Sequence, residues 1–192
     1  MKSKWMARGV AALVVVQTAL VLFSWIMSAA MPDSGVRSVI SGQSVRFFLG
    51  GYAALMGTDV LVWLLLLAMA YGSVKHSGLA TARPGHALYI AVAAFVLFCA
   101  LYALMSLPQH SILRSATGEL FASHTPFMKS LIPSLALMLC LTASVYGALA
   151  GVFASLADIC RALFKGIADA APLFLYYVLI TQIYYTVTYM TG

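Results

Sequence analysis

Of 192 residues, 63% are hydrophobic and only 8% charged, with a mean hydropathy of +0.98 and a formal net charge of +6. A soluble domain carries about 25% charged residues, so this chain cannot cover a water-facing surface and a soluble globular fold is excluded. The positive balance calls for no nucleic acid, because basic residues beside the ends of membrane spans meet anionic lipid headgroups.

The first apolar run, Ala7 to Met31, follows Lys2, Lys4 and Arg8. It resembles the charged start of a signal peptide but is longer and ends in Met31-Pro32-Asp33 without a small-x-small cleavage site, so it reads as a retained span. Next, Ser38 to Gln43 leads into Ser44-Val45-Arg46-Phe47-Phe48, where Ser44 is placed to cap a short helix. Arg46 can snorkel to headgroups while Phe47 and Phe48 enter the interface. The second run is long enough for an interfacial helix to about Met56 and a span from about Gly57 to Val74, with the break at Gly57-Thr58-Asp59. Pro84 and Pro108 bracket the third run, and Pro126 and Pro133 mark the approach to the fourth. The last run is Pro172 to Thr191.

Each run can cross a hydrocarbon core of about 30 Å as a helix of about 20 residues, and helices satisfy their own backbone amides where lipid cannot. The runs lack the apolar/polar alternation of a β-barrel. The expected fold is therefore an all-α integral membrane protein with about five transmembrane helices plus a short interfacial helix. It forms a single membrane domain over 1–192, with spans near 7–31, 47–74, 87–107, 131–153 and 172–191. With the N-terminus in the cytoplasm, the inside segments hold Lys2, Lys4, Arg8, Lys75, Arg83, Arg161 and Lys165, against Arg37, Arg46, Arg114 and Lys129 outside. The positive-inside bias thus predicts a cytoplasmic N-terminus and an external C-terminus.

Candidate side chains are few. Asp59 is the one acid in or near an apolar helix away from an obvious loop, and two readings stand: a carboxylate that couples Na⁺ or a proton, or a water-facing residue at the helix break. In the last span, Tyr177, Thr181, Gln182, Tyr184, Tyr185 and Tyr189 stand beside Tyr176 and Thr188. They make either a face that stacks and hydrogen-bonds an aromatic solute, or an aromatic belt and polar packing between helices. Asp158 and Arg161 are three apart and Lys165 and Asp169 four apart, the spacings of surface ion pairs. Gly147 and Gly151 form a G-x-x-x-G step with Ala143 and Ala150 nearby, a face for close helix packing within the chain or in a homodimer. Cys99, Cys140 and Cys160 read as small hydrophobes, and His76, His86, His110 and His124 fall in loops or at helix ends, so no metal or cofactor is expected. Catalytic triads, phosphate loops and dinucleotide fingerprints are absent from the sequence, which argues against an enzyme.

Several stretches resemble one family in collinear order. Gly72-Ser73-Val74-Lys75-His76-Ser77-Gly78-Leu79 is similar to the "G-[VI]-A-E-x-S-G-L" helix ending of the p-aminobenzoyl-glutamate transporter (AbgT) family, and Ser38 to Phe48 to the lead-in before it. Ile112 to Gly118 with Thr125-Pro126-Phe127-Met128-Lys129-Ser130 is similar to the family's "I-L-R-x-x-x-T-G … S-P-F-x-K-S" loop. Val145-Tyr146-Gly147 and Leu173 to Gln182 continue the likeness, while Thr188 to Thr191 departs from the family's "N-W-T-N".

The resemblance implies a dimeric, multi-pass protein of the bacterial inner membrane that moves p-aminobenzoyl-glutamate or related antimetabolites on ion gradients. It also implies a shortened form. Ser77-Gly78-Leu79 passes through Thr81 to Gly85 straight into the third run where the family has its first re-entrant hairpin, and the chain stops at Gly192 before the second. Two functions stay open: an AbgT-like transporter, and a non-transporting scaffold or accessory subunit that dimerises or docks on a larger membrane protein. The missing hairpins favour the second for this polypeptide alone.

Overall fold

Proline, glycine and capping hydroxyls divide the described residues into six α-helices. The computed structural model of the protein describes residues 2–106 and 125–192, with side chains from residue 5. Helix α1, Lys2–Ala30, stops where Pro32 disfavours a helical conformation in the residue before it, and a single 3-10 turn, Pro32–Ser34, ends in Gly35 with φ of +72°. Helix α2, Gly42–Met56, is capped by Ser41, whose hydroxyl accepts from the Ser44 amide at 3.2 Å. The cap thus falls three residues before the expected Ser44, which is instead inside the helix and fully buried.

Helix α3, Asp59–Ser77, begins after a two-residue break at Gly57-Thr58, the place where the sequence puts it. Gly78, with φ of +78°, and a second 3-10 turn, Leu79–Thr81, close it before α4, His86–Ser106. Helix α5, Pro126–Leu149, starts earlier than its apolar run because Thr125 caps it and Pro126 occupies a first-turn position that needs no amide proton. At its far end the Val152 amide returns to the Gly147 carbonyl at 2.8 Å while Gly151 takes a left-handed φ of +73°, which satisfies carbonyls the helix leaves open.

Helix α6, Leu156–Thr191, joins the segment of Asp158 to Asp169 and the last span into one element of 36 residues. Asp158 starts it: its carboxylate accepts from the Ala154 and Ser155 amides and the Ser155 hydroxyl at 3.0 to 3.2 Å. Pro172 lies inside the helix and leaves the Ala168 carbonyl without its usual donor.

Among the described residues, five helices are long and apolar enough to cross a membrane: the Trp5–Ala30 part of α1, and α3, α4, α5 and α6. Helix α2, with 15 residues, is too short to do so. The packing is that of a chain immersed in hydrocarbon. Large side chains such as Leu104 and Leu156 are exposed, while most buried positions, Phe153 and Met190 apart, hold alanines such as Ala68, Ala91, Ala136, Ala143 and Ala162 or small hydroxyl residues. In lipid the hydrophobic effect gives no reason to turn leucine inward, and small residues let backbones approach.

The contacts fall into two compact units. One comprises residues 1–61 and 171–192, the other 62–170.

Candidate functional site

In the first unit, polar groups from α1, α2 and the second half of α6 meet around a pocket of about 340 Å³. Its polar lining is Gln17, Ser44, Gln182 and Thr186, and its walls are Val21, Val39, Val45, Phe48 and Leu49. The Gln17 side-chain amide donates to the Thr186 hydroxyl at 2.9 Å, and Thr186 is fully buried. The Gln17 Oε1 and the Ser44 Oγ are both shut off from solvent without a hydrogen-bond partner. Rotating the Gln17 amide by 180° would pair its oxygen with the Thr186 hydroxyl and leave its nitrogen open, so one amide terminus stays unpaired either way.

The connections around the pocket are fixed by hydrogen bonds. Ser24 donates to the Val21 carbonyl at 2.7 Å and accepts from the Val39 amide at 3.1 Å, which ties the segment before α2 to α1. The Arg37 amide donates to the Met190 carbonyl at 3.2 Å, and the Tyr176 hydroxyl donates to the Met6 carbonyl at 2.8 Å. At the break between α2 and α3, the Tyr177 hydroxyl lies 2.7 Å from the Met56 carbonyl and 2.6 Å from the Thr58 hydroxyl. A phenol has one proton, so Tyr177 donates to the carbonyl and Thr58 donates to Tyr177. The Tyr177 bond gives the last-turn Met56 carbonyl a second donor beside the Thr58 amide, which reaches it at 2.9 Å.

Of the six last-span residues singled out in the sequence, only Gln182 lines the pocket. Tyr177 is engaged at the α2/α3 break, and Tyr189 packs its ring 5.2 Å from Phe47 and 5.9 Å from Phe48. Tyr184 is exposed and meets Tyr185 edge to face at 5.3 Å, while Thr181 is half-buried. Asp59 is exposed in the first turn of α3. Sequence reasoning passed over Gln17, the lone amide in the middle of the first apolar run, and Thr186, and it read Ser44 as a cap. A polar side chain mid-span is itself the signal that could have found Gln17.

The second unit holds a different kind of contact. The backbones of α3 and α6 meet at Gly72 and Gly166, where a Cβ on residue 72 would stand 2.5 Å from the Gly166 Cα. Ala68 and Ala162, each one turn earlier, are buried beside them. Lys75 closes on Asp169 at 2.6 Å, so Asp169 pairs across to α3 and not with Lys165 four residues away. The expected Asp158/Arg161 pair forms at 3.0 Å.

At the other glycine pair the geometry differs from the expected step. Gly147 is buried in α5 with the Phe153 ring against it, whereas Gly151 lies beyond the helix end, so the two do not share a helix face; Ala143 is fully buried. A smaller cleft of about 160 Å³ is bordered by His76, Phe153, Asp158, Arg161 and Lys165. No group of three or more metal-ligating side chains occurs among the described residues.

Residues 68–190, well over half of the chain, match the family model described as the AbgT putative transporter family. The match takes in α4, which sequence motifs supported least, and the last span with Gln182 and Thr186. It begins after the Ser38 to Phe48 stretch, and the Ile112 to Gly118 block lies outside the described residues. Searches of curated proteins and of solved structures each returned no match. The chain is a multi-pass membrane protein that belongs to the AbgT transporter family.

Proposed function

We propose that this chain moves p-aminobenzoyl-glutamate or a closely related aryl-amide antimetabolite across the bacterial inner membrane, driven by an ion gradient. The supporting observation is the family match over residues 68–190, which takes in the part of the last span where Gln182 and Thr186 border a pocket with unpaired polar atoms. A transporter needs such groups within its membrane-embedded part, because they replace the hydration that a solute loses there. In this reading Gln182 contacts the solute, and Asp59 is the candidate for ion coupling. The N-terminus faces the cytoplasm, the C-terminus faces outward, and the chain works as a dimer or with a larger membrane partner.

The test is flux of labelled p-aminobenzoyl-glutamate in proteoliposomes of the purified chain, with and without Na⁺ and pH gradients. Gradient-dependent flux is expected, and Asp59→Asn is expected to abolish its dependence on the gradient without unfolding the protein. A folded, reconstituted sample that carries no flux under any gradient would refute the transport reading and leave a scaffold or accessory role.

A further inference from the structure

We infer that the pocket between α1, α2 and the end of α6 is a binding site for an uncharged hydrogen-bonding group, such as a carboxamide, aryl amine or hydroxyl, carried on an aromatic or apolar body. Three observations combine. Ser44 is completely buried, lines the pocket, and has a hydroxyl with no partner, and Gln17 adds an amide terminus in the same state. Buried polar atoms of this kind are ordinarily paired, so two of them on residues that line one cavity point to a group that completes them once the side chains turn toward it. The space, about 340 Å³, far exceeds the roughly 10–15 Å³ that admits one water.

The charge of the ligand follows from what is missing in the wall. Every lining residue is neutral: four are amides or hydroxyls and the others are apolar. A carboxylate or ammonium placed here would lose its hydration without gaining a counter-charge, whereas a neutral amide would exchange water for Gln17, Ser44 and Gln182 at little penalty. Phe48 and the valines supply the apolar surface on which an aryl body rests. The identity of the solute rests on the transport reading, in which the aryl-amide portion lies here and the glutamate carboxylates lie elsewhere. The preference for a neutral group does not depend on it.

Equilibrium binding of two labelled probes to the purified full chain in nanodiscs at pH 7 tests this: p-aminobenzamide, which is neutral, and p-aminobenzoate, nearly the same shape but ionised. Saturable binding of the amide is expected, at least about tenfold tighter than the carboxylate. Ser44→Ala and the near-isosteric Gln17→Met should each weaken the amide by about tenfold, the effect of losing one buried hydrogen bond. Thermal unfolding of each variant establishes that it is folded, and Ser44→Ala, which removes one oxygen, keeps the test open if Gln17→Met fails to fold. No saturable amide binding, equal binding of both probes, or unchanged binding in both variants would overturn the assignment. Gradient-driven flux of p-aminobenzoyl-glutamate that is unaltered in Ser44→Ala would overturn this site while leaving transport standing. Amide binding that is lost in the variants, with no gradient-driven flux in the unsubstituted protein, would support the site and overturn transport.

Discussion

Replacing Gly72 by alanine tests the packing of the second unit through the sign of its effect. A Cβ on residue 72 would stand 2.5 Å from the Gly166 Cα and 2.7 Å from its nitrogen, and one on residue 166 would stand 2.6 Å from the Gly72 Cα. Carbon atoms settle at about 3.5–4.0 Å, so α3 and α6 must part by about 1 Å, and because the opposing atoms are backbone no side chain can swing away. Overpacking of this kind costs about 1–3 kcal/mol. Helix propensity alone would favour alanine by about 1 kcal/mol, so propensity and packing pull in opposite directions. Gly50 in α2 provides the control, since nothing lies within 4 Å of its added Cβ. Thermal unfolding of the purified protein should show Gly72→Ala and Gly166→Ala each melting lower, by roughly 2–12 °C on the scale of chains this size, and Gly50→Ala unchanged or higher. The double variant should lose much less than the sum, because the first methyl already opens the gap. A Gly72→Ala protein as stable as the wild type, or strictly additive losses, would refute the close crossing.

Tyr177→Phe removes both bonds at the α2/α3 break, which leaves the Thr58 hydroxyl unpaired and the Met56 carbonyl with the Thr58 amide alone; a loss of about 1–3 kcal/mol is expected, with Thr58→Val costing little more in the Tyr177→Phe background. Chemical-denaturant melts of the two singles and the double read this coupling. Exchanging the exposed pair as Lys75→Asp with Asp169→Lys should restore a melting temperature that either single change lowers slightly, and the single-variant effect should shrink in high salt. Gly147→Leu should displace the Phe153 ring and loosen the end of α5, seen as a lower melting temperature, whereas Gly151→Asn, which tolerates the left-handed conformation, should change it little.

Much of the fold was readable because helix ends obey local chemistry. The break at Gly57-Thr58, the Pro126 start and the arrest before Pro32 each depend on residues within a turn of the event. Ser41 and Ser44 show the limit of that reading. Both are serines at the start of the same helix, and the choice of cap turned on Ser44 being drawn into the interior of the first unit, a contact with no local trace. The glycines show the same limit. Gly147-x-x-x-Gly151 lies within one continuous stretch and looks the stronger packing signal, yet Gly151 ends its helix, while Gly72 and Gly166 each sit one turn after an alanine on separate helices.

The pocket residues were harder still, for a reason tied to the solvent. In water, apolar periodicity marks the face of a helix that turns inward, but in hydrocarbon both faces are apolar and the stripe vanishes. What remains informative is the exception: a small residue where backbones touch, or a polar one that lipid would not tolerate. Gln17 is such an exception, a single amide in the first apolar run, and its bond to Thr186 across 169 residues of sequence joins α1 to the last helix. Tyr177, Tyr184 and Tyr189 drew attention by number and aromaticity, yet a tyrosine can end at a helix break, on the exposed surface or against other rings, and these three do each in turn. For a span in lipid, the position of an isolated amide therefore carries more about the interior than a cluster of amphipathic rings, because lipid accommodates the ring and not the amide.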